Sequence, residues 1–103
     1  MQGQQMINIE EHRVPKFTKH PNGFEVVSND GSIKIVLQHT TVMNGSMESD
    51  FYSTKTWIKE ESGWIEVNGT QNYPTKEAFI EVIRDNEDFT QAMRDYEEYK
   101  FNI

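Results

Sequence analysis

The chain has 103 residues, no cysteine, 17 acids against 10 lysines and arginines, and a formal net charge of −7. That length supports one hydrophobic core, and so a single domain over residues 1–103. The missing thiol excludes a disulfide framework, a thiolate nucleophile and a sulfur-ligated metal, and no apolar run approaches the roughly 18 residues of a membrane span, so a cytoplasmic protein off the membrane is expected.

Residues 1–22 read as an extended or partly disordered segment carrying Pro15 and Pro21, with room for an edge strand near Met6 to Glu10. The segment is mildly basic, with Arg13, Lys16 and Lys19 against Glu10 and Glu11, and nearly all the acid lies beyond Gly23. Five of the six glycines then stand in turn-forming pairs, Asn22-Gly23, Asp30-Gly31, Asn44-Gly45, Ser62-Gly63 and Asn68-Gly69, with β-rich runs between them. This punctuation predicts an antiparallel meander of about four strands.

A two-residue turn at Asp30-Gly31 sets Val26 opposite Ile35 and Phe24 opposite Leu37, which puts Phe24, Val26, Ile33, Ile35 and Leu37 on one face. Glu25, Val27, Lys34 and Val36 take the other. The strands are expected near 23–28 and 32–42. His39 follows Leu37 on the core parity and reads as a hydrogen-bonded edge residue rather than a metal ligand.

The stretch TWIKEESGWIEV holds both tryptophans of the chain. An even loop, either Ser62-Gly63 or Glu60 to Gly63, puts Ile58, Ile65 and Val67 on one face and Trp57, Lys59, Trp64 and Glu66 on the other. It also brings Lys59 beside Glu66 as a cross-strand pair. An odd loop with a bulge at Gly63 would give each face one tryptophan. The even loop is expected, because it keeps the aliphatic residues together. The tryptophans are then either roofed by the Phe17 segment or by the connection MNGSMESDFY, or presented as a contact patch or a dimer interface.

After the proline at position 74 the period changes. Thr75 is the expected N-cap of a helix with Glu77 in its first turn and Phe79, Val82, Ile83 and Asn86 at helical spacing. The stripe lapses around RDNED and resumes at Phe89, Ala92, Met93 and Tyr96, so two helices near 75–84 and 87–99, or one kinked rod, are expected, with Asp85 or Asn86 capping the second. The predicted fold is therefore α+β, a meander with one or two C-terminal helices packed on one face. Its core should hold Phe24, Val26, Ile35, Leu37, Phe79, Ile83, Phe89 and Met93.

No catalytic motif, metal-ligand spacing or phosphate loop occurs. The three histidines, at 12, 20 and 39, lack the spacing that places two ligands on one helix face, and no acidic run matches a calcium loop. The expectation is no catalytic residue, no cofactor and no metal. From Thr75 onward, eight acids stand against Lys76, Arg84, Arg94 and Lys100. Such a surface disfavours nucleic acid and membranes and favours a basic partner, for example a nucleic-acid enzyme occupied by an inhibitor or regulator, with the chain as monomer or homodimer. The candidate partner-binding residues are Trp57, Trp64, Glu87, Asp88, Asp95, Glu97 and Glu98. The alternative is a ligand-binding or enzymatic domain with a pocket between sheet and helices.

Overall fold

The computed structural model describes residues 15–101. Five strands run in chain order: β1 (Phe17–His20), β2 (Gly23–Val27), β3 (Ile33–Asn44), β4 (Met47–Glu60) and β5 (Gly63–Tyr73). Helix α1 (Lys76–Arg84), a 3-10 turn (Glu87–Phe89) and helix α2 (Thr90–Phe101) follow. Each strand pairs antiparallel with the next, in the order β1-β2-β3-β4-β5. The α+β meander with C-terminal helices on one face is as expected, with one strand more. That strand is β1, formed by a segment expected only to be extended; the edge strand expected near Met6 to Glu10 lies outside the described residues.

The β2–β3 register follows the hydrophobic alternation, with Phe24 opposite Leu37 and Val26 opposite Ile35. Its turn is organised by two short polar side chains. The buried Ser28 hydroxyl donates to Asp30 and accepts from the backbone N–H of Ser32 and Ile33, and Asp30 accepts from the Ser32 N–H and hydroxyl. Such local side-chain acceptors take up turn N–H groups that no strand can reach.

Two expectations about connections are corrected. MNGSMESDFY is not a long connection: Asn44 pairs with Met47, leaving Gly45 and Ser46 as the turn, and the rest extends β3 and β4. Since β2 pairs with β3 only up to Gln38 and β5 reaches back along β4 only to Tyr52, residues 39–51 form a two-stranded arm beyond the sheet. Asn68-Gly69 is not a turn either. Both residues take positive φ, 64° and 60°, inside β5, where the register slips between Thr56↔Val67 and Thr54↔Gln71. The pair forms a bulge that keeps Val67 and Tyr73 on the helix side.

Helix α1 starts where expected. The Thr75 hydroxyl accepts from the Ala78 N–H at 3.1 Å, and Asn86 caps the 3-10 turn by accepting from Asp88 N–H at 2.9 Å. The buried face of α1 is Phe79, Ile80 and Ile83; Val82, expected in the stripe, is 52% exposed. These residues pack with Phe89, Ala92, Met93 and Tyr96 on Phe17, Phe24, Val26 and Leu37, while Ile35 is only half-buried at the edge of the core. Asn29 joins the layers. Its side chain accepts from Gln91 N–H at 3.0 Å and donates to the Glu87 carbonyl at 2.9 Å, so a residue of the β2–β3 turn caps α2 from outside the helix.

Candidate functional site

The tryptophan parity is as expected. Trp57 pairs with Glu66 and Lys59 with Trp64, and Ile58, Ile65 and Val67 lie on the opposite face. The loop is even, but it is the two residues Glu61-Ser62, closed by the Glu60–Gly63 pair, rather than Ser62-Gly63 or Glu60 to Gly63. Lys59 consequently faces Trp64 directly, and Glu66 is its diagonal neighbour rather than its partner. The tryptophans share the sheet face turned away from the helices. Lys34 on β3 holds its ammonium 4.5 Å from the Trp64 ring centre and 5.8 Å from that of Trp57, a cation–π arrangement that leaves both rings half-buried. Neither expected roof is there: Phe17 packs in the core on the helix side, and MNGSMESDFY is the arm. Lys55 and Lys59 share this outer face with Glu66, which stands opposite Trp57, so with Lys34 three lysines surround the tryptophans against one acid in a chain that is acidic as a whole.

The five helical acids do not form one cluster. Asp95 is half-buried and accepts from the Lys16 backbone N–H at 2.7 Å and from the Gln91 side chain at 3.0 Å, which fastens the entry to β1 onto α2. Glu97 pairs with Arg84 at 2.8 Å, and Glu97 and Glu98 border a shallow hollow beside Arg84 and Arg94. Glu87 and Asp88 differ. They are exposed at the end of the molecule where the β2–β3 turn meets the helices, next to Asp85 in the chain and close to Asp30, since Asn29 N–H donates to the Asp88 carbonyl at 2.7 Å. Hydrogen bonds from Ser32 and Ser28 lower the Asp30 pKa from 3.8 to about 2, so Asp30 keeps its charge well into acid.

On the helix side a cleft of about 500 Å³ opens between the sheet and both helices. Its floor is apolar, with Phe17, Phe24, Leu37 and Ile80, and Phe17 lies 5.2 Å from the Phe24 and Tyr96 rings and 5.3 Å from Tyr99. Burial, with the Glu77 and Glu97 charges adding to it, raises the Tyr96 pKa. One wall is a flat pair, His39 stacked on its cross-strand neighbour Tyr52 at 4.7 Å and 10°. Asp50 fixes the imidazole: it accepts from His39 Nε2 at 3.0 Å and from the Thr41 hydroxyl at 3.1 Å, and these two bonds lower its pKa. His39 is thus the hydrogen-bonded edge residue that the parity suggested. The rim carries Lys19, Lys76, Arg84 and Lys100.

The sequence offered no signal for Lys19, Lys76 or Lys100, which come from three elements up to 81 positions apart. His39 and Leu37 were legible through parity, and a pocket between sheet and helices belonged only to the alternative reading. Among the described residues no group of three or more His, Cys, Asp or Glu is placed to hold a metal ion, and no helix is long and apolar enough to cross a membrane. No protein family, no curated protein and no solved structure matches the chain.

Proposed function

We propose that this chain is a cytoplasmic binding protein rather than a catalyst, and that it acts as an inhibitor or regulator by occupying a basic partner, as immunity proteins, antitoxins and phage anti-defence proteins do. The observation that supports this most directly is the exposed acidic end formed by Asp30, Asp85, Glu87 and Asp88, whose carboxylates have no ion-pair partner among the described residues. A group of one sign without ion-pair partners speeds encounter with a surface of the other and can stand in for phosphates against a Lys/Arg channel. Of the other helical acids, Asp95 and Glu97 serve the fold, and Glu98 adds to the general field.

The test is capture of a basic protein by the tagged chain across a salt series, with two charge-reversed variants. Asp85→Lys/Glu87→Lys/Asp88→Lys should lose the captured protein and slow its association, with an unchanged melting temperature. Glu98→Lys should bind nearly as the parent does. Equal capture by the triple variant at all salt concentrations would remove this reading, as would capture that survives about 1 M salt, where screening acts within roughly 3 Å.

A further inference from the structure

We infer that the cleft between the sheet and the two helices is a binding site for a small planar organic anion. The inference is independent of the partner reading, because the acidic end lies outside the cleft. Its volume of about 500 Å³ falls in the range of small-molecule sites, roughly 300–1,000 Å³.

Charge is the first argument. Four of the chain's ten lysines and arginines line the cleft, against two of its seventeen acids, Glu77 and Glu81. In a chain of net charge −7, a cleft of ordinary composition would be acidic; this one is cationic. The cations also lack the pairing that would make them structural. Among the described residues Arg84 alone is matched, by Glu97. The Lys19 ammonium donates to the neutral carbonyls of His20 and Gly23, the Lys100 ammonium sits 5.2 Å over the Tyr96 ring, and Lys76 has no carboxylate partner among the described residues. These lysines reach the rim from β1, from the first turn of α1 and from the last turn of α2. Tertiary structure therefore gathers three lysines without a carboxylate partner among the described residues at a rim that holds two acids, Glu77 and Glu81, and this excess of cations favours an anion.

Shape and polarity supply the second argument. An inorganic anion alone would leave the apolar floor of Phe24, Leu37 and Ile80 unused. The flat wall of His39 on Tyr52, held in orientation by Asp50, matches a planar ring better than an aliphatic chain. The ligand class that uses both halves is a ring bearing a phosphate, sulfonate or carboxylate.

The experiment titrates the chain with adenosine 5′-monophosphate, with adenosine as its uncharged counterpart, and with inorganic phosphate alone, following amide shifts by NMR. The monophosphate should bind one to one, at least about tenfold tighter than either fragment, and shift Gly23, His39, Tyr52 and Ile80. A second anionic pair, 8-anilinonaphthalene-1-sulfonate with neutral N-phenyl-1-naphthylamine, widens the ring and changes the acid group. Lys76→Gln/Lys100→Gln alters two exposed side chains and should weaken the anions about tenfold while leaving the neutral compounds unaffected. Three results overturn the assignment: neutral compounds binding as tightly as the anions, shifts centred on the Trp57 and Trp64 indoles, or neither anion binding below about 1 mM. Failure here leaves the acidic-end reading standing, since the capture variants lie elsewhere.

Discussion

Single residues decide whether the first hairpin closes. Asp30 is held near a pKa of about 2, chiefly by the Ser32 hydroxyl and N–H and then by Ser28. The folded value lies below the ordinary 3.8, so ionised Asp30 stabilises the fold above about pH 4, and that contribution is lost as pH falls from 3.8 toward 2. The melting-temperature difference between the parent and Asp30→Asn should therefore narrow over that interval; a constant difference down to pH 2 would place the effect elsewhere. Gly23 is constrained by space. A Cβ there would collide with the Leu37 carbonyl in the facing strand, where backbone cannot yield. Gly23→Ala should cost about 1 to 3 kcal/mol in urea unfolding, and a smaller loss would mean that β2 and β3 can part locally.

At the scale of elements, the sheet is unequally supported. Helix α1 buries Phe79 almost completely, against Phe24 at 5.8 Å and edge-on to Tyr73 at 5.4 Å. Phe79→Ala should cost about 3 to 5 kcal/mol, and Ile35→Ala clearly less, because Ile35 is half-buried and leaves a smaller cavity. Equal losses in chemical denaturation would show that the helices cover β3 more fully. The arm is the opposite case. Residues 39–51 have one partner strand each and present Val42, Met43, Met47 and Phe51 to solvent. A two-stranded ribbon in water is marginal alone, so amides of residues 40–50 should exchange orders of magnitude faster than those of 34–37, where β2 and β4 flank β3. Uniform protection along β3 would mean that the arm is held by contacts outside the described residues.

Across the whole molecule, charge is distributed unevenly, and the two faces of the sheet differ in cover. Asp30, Asp85, Glu87 and Asp88 gather at one end, whereas the tryptophans stand beside Lys34, Lys55 and Lys59. Local fields outweigh net charge at distances shorter than the roughly 10 Å screening length. Iodide should accordingly quench the tryptophan emission more strongly than caesium does, despite the net −7, and Lys34→Gln should shrink that asymmetry. Preferential quenching by caesium would mean that the acidic surface dominates even here.

The sequence by itself determined the strand alternation, the β2–β3 register, the face parity of the β4–β5 hairpin, the helix start at Thr75 and most of the core, because each depends on residues within a few positions of one another. It did not show the β3–β4 hairpin, expected as a connection, nor that a 3-10 turn over Glu87–Phe89 delays the second helix, expected from 87, to Thr90. The α+β class followed from that order of elements. The sequence could not distinguish Asn44-Gly45, whose glycine turns the chain together with Ser46, from Asn68-Gly69, which bulges it, since Gly45 and Gly69 both take positive φ and the neighbouring strand makes the difference. The fate of the helical acids was equally hidden. Asp95 reads as one carboxylate among several in DYEEYKF, yet its partner, the Lys16 N–H, lies 79 positions away. Whether a charge is spent on the fold or left for a ligand is a sum over elements that meet only when the chain closes, and so the cationic cleft and the lysines around the tryptophans were decided by tertiary structure.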